Sequence, residues 1–315
     1  MLIKRIIRKF LRTFFKVFKY DKPLGYVFML HRIAEIENDK LFPNENMKVS
    51  PAFLDSQLEI LKKTYNIIPA SHIPLYLKKR HTKPFIAFTI DDGYKDNLYN
   101  ALPVFKKHNI PFTVFVTTDF PDQKAVLWWY VLEDLLLKND SLHLNNGKTY
   151  VCRTKAEKET AFMEIRAEIL KSDQTDLINQ LNRLFYGYKI DWLSKTKELC
   201  MTWDEVKLLS KEPLVTIGGH TVHHYNLKQL PESQATEEIL LGNKLLAEKI
   251  GKDIHVFAYP FGSPNEADKR EYKIIARYFS GLAFIAFGGA VTKLSKRNAL
   301  PRIMFTHDFK VGELI

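Results

Sequence analysis

The stretch that decides the fold runs from Phe85 to Gly93 and reads F-I-A-F-T-I-D-D-G. Its apolar and β-branched residues predict a buried strand. Two carboxylates, Asp91 and Asp92, follow at once, and α/β folds place their chemistry at the carboxyl ends of strands. On an extended chain the two side chains point to opposite sides, so one can bind a metal while the other stays free as a base. The alternative is a turn with an Asx cap before a helix that starts near Lys95.

Predicted strands and helices alternate along the chain. Strand-like runs occur at 25–30, 85–90, 111–116, 214–218, 255–259 and 282–287. Helix-like segments lie between them, near 51–64, 95–108, 231–250 and 266–279. This alternation predicts an α/β protein with a parallel sheet, which here is expected to form a distorted (β/α) barrel.

A second motif, Gly218 to His224, reads G-G-H-T-V-H-H and lies just past a short predicted strand. His220 and His224 are four positions apart, so they share one face if the segment is helical. Imidazoles at that spacing can both reach one divalent ion, and His with carboxylate oxygen suits zinc and similar metals. His223 lies between them and points elsewhere, so we leave it out of the ligand set. The alternative is three histidines on a solvated loop.

A third motif, Phe257 to Gly262, reads F-A-Y-P-F-G. An aromatic-Pro-aromatic-Gly turn after a short apolar run forms a stiff wall with an exposed backbone N–H on Phe261. Such a donor can face a developing oxyanion. Pro260 and Tyr259 belong to the same turn and are candidate substrate contacts. The alternative is an ordinary structural turn.

Taken together, in this order and separation, the three motifs resemble those of the polysaccharide deacetylases of the NodB-homology family, carbohydrate esterase family 4. The family's first motif, Thr-Phe-Asp-Asp-Gly, is similar to T-I-D-D-G at 89–93, and its second, His-Ser/Thr-x-x-His, matches 220–224. Its third, Arg-x-Pro-Tyr/Phe-Gly, is matched at 260–262, but Ala258 occupies the Arg position. The resemblance covers about residues 25–305.

The resemblance implies a barrel of seven or eight strands, (β/α)7-8, and an enzyme that hydrolyses the amide bond of N-acetylated sugars. It also implies that Asp91 is the catalytic base and that Asp92, His220 and His224 hold a metal. A three-ligand site leaves positions open for a water and for a carbonyl oxygen. Zinc is the expected metal, and cobalt, nickel or manganese would also fit. Because ligation requires unprotonated imidazoles, activity should fall in acid.

Two departures from the family pattern concern catalysis. Ala258 cannot orient the catalytic carboxylate as the family Arg does, and Arg302, in L-P-R-I, could supply the guanidinium instead. An ordinary surface arginine is the alternative for Arg302. His307, in F-T-H-D-F, is the candidate for the family's general-acid histidine, or it is simply exposed. His31, in F-M-L-H-R-I, could line the site, although a hydrogen-bonded structural role is favoured.

An insertion of helical character, at about residues 119–212, separates the first motif from the second. It opens with L-W-W-Y-V-L-E-D-L-L, in which Trp128, Trp129 and Tyr130 could stack on sugar rings as a lid over the site. The alternative is that these aromatic residues anchor the insertion to the barrel. Trp192 and Trp203 carry the same ambiguity.

The first twenty residues differ from the rest in charge. Of the formal net charge of +11, residues 1–20 contribute seven positive charges and no acid. Their apolar residues recur at three- and four-residue steps, which predicts a basic amphipathic helix lying in an anionic membrane interface. A helix that packs on the barrel formed by 21–315 is the alternative. With no secretory signal pattern, we expect a cytoplasmic protein, peripheral on the inner face of the cytoplasmic membrane.

The remaining composition sets limits on the class of protein. The chain has 315 residues, of which 46% are hydrophobic, enough for one sizeable core. Two cysteines, Cys152 and Cys200, form no metal spacing and no disulfide framework, which favours a reducing compartment. Charges beyond residue 20 are dispersed, so a nucleic-acid partner is not expected. No run approaches the roughly 18 consecutive apolar residues of a spanning helix.

These patterns leave three hypotheses for function. The first is a metal-dependent deacetylase acting on an N-acetylated bacterial polysaccharide or a lipid-linked glycan precursor. The second is a catalytically weak or inactive glycan-binding protein on the same fold, suggested by Ala258 and by the uncertain general acid. The third is an O-acetyl esterase, because an alcohol leaves more easily than an amine and needs a weaker proton donor.

Overall fold

The computed structural model describes residues 22–78 and 82–314, and at its centre parallel strands form a closed barrel. The strands in the described chain are β1 Gly25–Leu30, β2 Arg32–Ile33, β3 Lys48–Val49, β4 Asn66–Ile67, β5 Phe85–Ile90, β6 Phe112–Val116, β7 Ser141–His143, β8 Thr149–Val151, β9 Val215–Gly219, β10 Val256–Ala258, β11 Leu282–Gly288 and β12 Leu300–Met304. The barrel order is β1-β12-β11-β10-β9-β6-β5, and pairing of β5 with β1 closes the ring. The short β4 pairs with the start of β5.

The strands of the barrel are apolar because they are covered on both faces, by one another inside and by helices outside. Every residue of β1 and β5 is buried. The two strands run in register, with Leu30 opposite Ile90. The Asp91 N–H donates to the Leu30 carbonyl at 2.9 Å. His31 and Asp91 therefore leave the barrel side by side, at its carboxyl edge.

Helices connect the strands and cover the outside of the barrel. In the described chain they are Phe42–Glu45, Pro51–Thr64, Ile73–Lys78, Leu102–Lys107, Trp128–Lys138, Lys155–Ile169, Leu177–Leu184, Ser194–Leu199, Trp203–Ser210, Glu232–Ile250 and Lys269–Tyr278. A π-helical turn, Asn97–Ala101, leads into the fourth of them. None of the helices in this part of the chain is both long and apolar enough to cross a bilayer.

The insertion between β6 and β9 has a hydrophobic core of its own. That core joins three helices to the β7–β8 hairpin, through side chains that include Trp128, Leu132, Leu142, Phe162, Ile165, Leu181, Phe185 and Trp192. The last helix before β9, Trp203–Ser210, instead contributes Val206 and Leu209 to the core of the barrel. The insertion thus forms a separate lobe beside the carboxyl edge of the barrel.

The predicted barrel is confirmed, and all six predicted strands are present with ends shifted by no more than two residues. The strand β12 was not predicted, because the proline and arginine of L-P-R-I-M do not resemble a buried strand. The predicted helix at 95–108 is divided between the π-helical turn and the helix Leu102–Lys107. Cys152 and Cys200 are both buried and unbonded to each other. The predicted amphipathic helix at 1–20 lies outside the described residues.

Candidate active site and metal centre

A cavity of about 620 Å³ opens at the carboxyl edge of the barrel, where the insertion lobe faces it. It is lined by residues that directly follow three different strands. These are His31 after β1, Asp91 and Asp92 after β5, and His220 after β9, joined by His224. Active sites of barrel enzymes form at this end because the strands deliver side chains from distant parts of the chain to one place.

Asp92, His220 and His224 converge in an arrangement that could hold a metal ion. The Asp92 Oδ1 lies 3.3 Å from the Nε2 of His220 and 3.3 Å from the Nε2 of His224. One ligand atom from each residue lies within 4.8 Å of the other two. The Asp92 Oδ1 is buried and has no hydrogen-bond partner in the described chain. A buried, unpartnered carboxylate oxygen facing two imidazole nitrogens fits a divalent cation.

Contacts behind the two imidazoles prepare them for ligation. The His220 Nδ1 donates to the Ala258 carbonyl at 2.7 Å, which leaves the Nε2 lone pair free for a metal. The His224 ring packs against Phe261, with ring centroids 4.6 Å apart. Burial lowers the pKa of His224 despite the neighbouring carboxylate, so this imidazole stays neutral. For Asp92, burial alone would raise the pKa, but the two imidazoles outweigh it and hold that pKa well below its usual range.

The loop that carries the two histidines is not helical, so the condition under which their spacing would give a shared helical face is not met. Thr221 and His224 instead adopt left-handed backbone conformations, with φ of 69° and 62°. Such conformations cost about 1–3 kcal/mol each in a non-glycine residue and persist where surrounding contacts impose them. The Glu238 carboxylate supplies such contacts by accepting from the N–H groups of Val222 at 3.2 Å and His223 at 3.0 Å.

Asp91 is held by a buried arginine from β12, the strand on the other side of β1 in the barrel. The Arg302 guanidinium donates to both oxygens of Asp91, at 2.6 and 2.7 Å, and also to the Thr89 Oγ1 and the Ile285 carbonyl, each at 3.1 Å. Burial would raise the pKa of Asp91, but the guanidinium outweighs it and holds that pKa below its usual value. Arg302 thus occupies the orienting position that Ala258 cannot fill, and its alternative as a surface arginine is wrong.

His31 lines the cavity next to Asp91. Its carbonyl accepts from the Asn97 Nδ2 at 3.0 Å, which fixes the backbone where β1 ends. Its Nδ1 is buried and has no hydrogen-bond partner in the described chain. The ring therefore differs from the hydrogen-bonded structural histidine that was favoured.

Comparisons with known proteins agree with this geometry. The family model for polysaccharide deacetylases matches residues 78–274, which is more than half of the chain. The chain belongs to the polysaccharide deacetylase family. A search of curated protein sequences found no match.

Solved structures of deacetylases share the fold of this family member. The Streptococcus pyogenes deacetylase PplD, solved in complex with acetate, is 17% identical, with a TM-score of 0.60 over 91% of this chain and 95% of that one. IcaB from Ammonifex degensii is 19% identical, with a TM-score of 0.56 over 91% and 94%. A de-N-acetylase from Aggregatibacter actinomycetemcomitans is 15% identical, with a TM-score of 0.54 over 91% and 95%. At these identities the likeness concerns the fold alone.

Three of the candidate residues lie away from the cavity of this deacetylase-family barrel. Tyr259 is fully buried and its hydroxyl donates to the Asn298 carbonyl at 2.8 Å, so its side chain cannot contact a substrate in the cavity. Pro260 is buried beside it. His307 is half-buried, follows β12, and is not among the residues that line the cavity. The proton-donor role expected of His307 therefore does not fit its position.

The tryptophans of the insertion separate into two groups. Trp129 lines the cavity, and its ring centroid lies 5.4 Å from that of His224. Trp128 also borders the cavity but belongs to the core of the insertion lobe. Trp192 belongs to the core of the insertion lobe and its indole N–H donates to Asn182 at 3.0 Å, whereas Trp203 packs against the core of the barrel and donates to Asp122 at 2.6 Å. Trp129 is thus the tryptophan best placed to meet a substrate.

From the sequence, His31 was given a structural role and Glu238 was not singled out. His31 directly follows a strand, and the rule that chemistry lies at strand ends could have singled it out. Glu238 carries no comparable signal, because it is one of several charged residues on the helix Glu232–Ile250 and its partners lie fifteen or more positions away.

Proposed function

We propose that the protein is a metal-dependent deacetylase that removes acetyl groups from N-acetylated sugars of a bacterial polysaccharide or lipid-linked glycan precursor. The observation that carries this proposal is the convergence of Asp92, His220 and His224 beside the buried pair of Asp91 and Arg302. Zinc is the first choice of metal for two nitrogen ligands and one oxygen ligand, with cobalt, nickel and manganese as alternatives. A divalent ion held there would act as a Lewis acid on an acetyl carbonyl.

In this mechanism Asp91 is the general base. It accepts the proton of the attacking water, and the bidentate contact with Arg302 fixes the orientation of the carboxylate while that proton arrives. The same contact keeps Asp91 ionised at neutral pH, because it holds the pKa of the carboxyl below its usual value. The base is therefore charged and oriented before the substrate binds.

His31 is the proposed proton donor to the leaving amine. An amine leaves poorly unless it is protonated, and His31 lines the cavity beside Asp91 with an unpartnered Nδ1. The Phe261 N–H remains the proposed donor to the oxyanion, on the turn that follows β10. Phe261 adopts φ of 57°, a strained conformation for a non-glycine residue and common at functional sites.

The glycan-binding and O-acetyl esterase hypotheses rested on a missing orienting arginine and a missing proton donor. Arg302 and His31 offer residues for both roles, so we favour N-deacetylation. The test is acetate release from N-acetylglucosamine oligomers and from matched O-acetylated sugars, with Asp91→Asn as the control. Acetate from the N-acetyl substrate, lost in Asp91→Asn, would support the proposal. Acetate from the O-acetyl substrate alone would identify an esterase.

The location of the protein is also a proposal. Residues 1–20 carry seven positive charges and no acid, and a basic amphipathic helix there would bind an anionic membrane surface. We propose that the protein acts on the inner face of the cytoplasmic membrane. Deletion of residues 1–20 should then release it from vesicles containing phosphatidylglycerol and spare activity on a soluble substrate. Unchanged sedimentation with these vesicles would contradict the proposal.

A further inference from the structure

Part of the cavity wall is apolar. It combines aromatic and methionine side chains from the insertion lobe and from the loop after β2, namely Phe42, Met47, Trp129, Phe162 and Met163. At its mouth Phe42 is 56% exposed and Met163 50% exposed. A sugar alone offers hydroxyl groups that methionine and phenylalanine cannot satisfy by hydrogen bonding. An apolar chain attached to the sugar would instead remove these side chains from water.

One cation lines the same wall. Arg166, on the helix Lys155–Ile169, places its guanidinium carbon 5.8 Å from the centroid of the Phe261 ring. In the described chain no carboxylate lies within ion-pair distance of this guanidinium, in contrast to Arg32, Arg183 and Arg302, which pair with acids. A half-buried arginine without an acid is a strong site for an anion, because it is already partly dehydrated.

Two acids near Arg166 in the fold or on its helix accept hydrogen bonds from other groups. Glu266, the acid whose charge acts on it most, accepts from the Ser263 hydroxyl. Glu159, which lines the cavity on the same helix, accepts from the Phe42 N–H at 3.0 Å. The guanidinium is therefore available to a ligand in the cavity. The burial that lowers the pKa of Arg166 is consistent with this position.

The position of Arg166 relative to the metal ligands limits where the anion can sit on a substrate. The Phe261 ring contacts both, with its centroid 4.6 Å from that of the His224 ring and 5.8 Å from the guanidinium carbon. Arg166 and the metal ligands therefore meet the same ring of the cavity wall, which allows one substrate to place an anion at Arg166 and an acetamido group at the metal ligands. In a 2-acetamido sugar 1-phosphate, the phosphate is on the carbon next to the one that bears the acetamido group.

From this arrangement we propose that the substrate is a 2-acetamido sugar joined through a phosphate to an apolar hydrocarbon chain. The acetamido group lies at Asp92, His220 and His224, the phosphate binds Arg166, and the chain follows Phe162 and Met163 to the mouth of the cavity. The proposal rests on the proposed deacetylase function and specifies its substrate class. Arg166 is a specificity residue in this scheme and takes no part in the hydrolysis.

A binding experiment tests the proposal without requiring turnover. The zinc-loaded full-length protein is titrated with geranyl phosphate, geraniol and inorganic phosphate, with tryptophan fluorescence as the readout because Trp129 lines the cavity. We expect wild type to bind geranyl phosphate at least about tenfold more tightly than geraniol, and Arg166→Ala to lose that preference. Arg183→Ala, which removes an exposed arginine of the same lobe, is the matched control and should behave as wild type.

A second variant tests the apolar part of the proposal. Met163→Ser changes an exposed side chain at the mouth, so it should leave the fold intact. It should weaken the binding of geranyl phosphate and leave the binding of inorganic phosphate unchanged. Equal binding of geranyl phosphate and geraniol by wild type would overturn the proposal. So would a preference for the phosphate that survives in Arg166→Ala, because the anion would then bind elsewhere, for example directly to zinc.

Turnover separates this proposal from the proposed function. The substrates are N-acetylglucosamine joined to geraniol through a phosphate, the neutral geranyl glycoside, and N-acetylglucosamine 1-phosphate. We expect kcat/KM to be highest for the first and Arg166→Ala to remove its advantage over the neutral glycoside. Equal values for the first two would overturn the role of the phosphate while the deacetylase function stands. Equal values for the first and third would overturn the role of the chain.

Discussion

Replacing Arg302 by methionine should leave the buried carboxylate of Asp91 without a positively charged partner. The arginine is 1% exposed and donates to both oxygens of Asp91, which is itself 2% exposed. Methionine keeps much of the volume but leaves the carboxylate without its cation. Removing one partner of a buried ion pair costs about 3–5 kcal/mol. We expect Arg302→Met to lower the free energy of unfolding by that amount at neutral pH.

The loss of unfolding free energy in Arg302→Met should depend on pH, and the pKa of Asp91 decides its direction. In wild type the pKa of Asp91 is below its ordinary value, so the pair stabilises the fold above that ordinary pKa, and the contribution is lost as the pH falls through the folded-state pKa. In Arg302→Met burial dominates and the pKa of Asp91 rises. The variant should then lose stability as the pH rises, and the acid limb of its kcat/KM profile should move upward by about 1–3 units.

The assay is urea denaturation of four proteins, wild type, Arg302→Met, Asp91→Asn and the double variant, at about pH 4.5 and about pH 7. In Asp91→Asn the buried guanidinium has lost its carboxylate, and in the double variant neither charge remains, so Arg302→Met should cost about 2–3 kcal/mol less in the Asp91→Asn background at the higher pH. Arg302→Lys is a control that keeps the charge and loses the bidentate geometry. If the destabilisation of the double variant equals the sum of the two single variants within about 0.5 kcal/mol, the ion pair is not the source of the destabilisation.

Three further predictions concern the residues around this pair. His31→Gln should lower kcat about 100- to 10,000-fold through loss of the proton donor, with zinc content unchanged, and an unaltered kcat would contradict its role. Glu238→Ala should weaken zinc binding about 10- to 100-fold, because the loop that carries the histidines loses the acceptor of two of its backbone N–H groups. Glu238→Gln should weaken zinc binding less. Equal zinc affinity in wild type and both variants would show that Glu238 does not support the ligands. A Cβ on Gly242 would lie 2.7 Å from the Thr221 carbonyl carbon, so Gly242→Ala should cost about 1–3 kcal/mol in urea denaturation, whereas Lys244→Ala on the same helix should cost little. Equal costs for the two alanines would show that the close approach is unimportant.

The parts of the fold that the sequence predicted are those with a local signal. The run ending at Ile90 is apolar along its whole length because parallel barrel strands are buried on both faces. The strand β12 was missed for the opposite reason. Its Arg302 is stable inside the barrel only because Asp91, more than two hundred residues earlier, lies opposite it. No pattern of neighbouring residues predicts the ion pair between Arg302 and Asp91.

The metal ligands were predicted by type and spacing, but the shape of their loop was not. A four-residue spacing gives a shared face only in a helix, whereas this segment is a loop in which Thr221 and His224 are left-handed. Their conformation depends on Glu238 and on the close approach of Gly242 from the helix Glu232–Ile250. These contacts are tertiary. The proton donor was sought at His307 near the end of the chain, although closure of the barrel brings His31 beside Asp91.

The most direct test of the central claim is the dependence of acetate release on metal. Protein stripped with a chelator is assayed on N-acetylglucosamine oligomers and on a lipid-phosphate-linked N-acetylated sugar, before and after zinc is restored, with Asp92→Asn measured in parallel. We predict that stripped wild type is inactive, that activity returns with about one zinc per chain as expected for a single three-ligand site, and that Asp92→Asn recovers neither zinc nor activity. Acetate release that survives stripping, or zinc-loaded wild type that releases none from either substrate, would contradict a metal-dependent deacetylase.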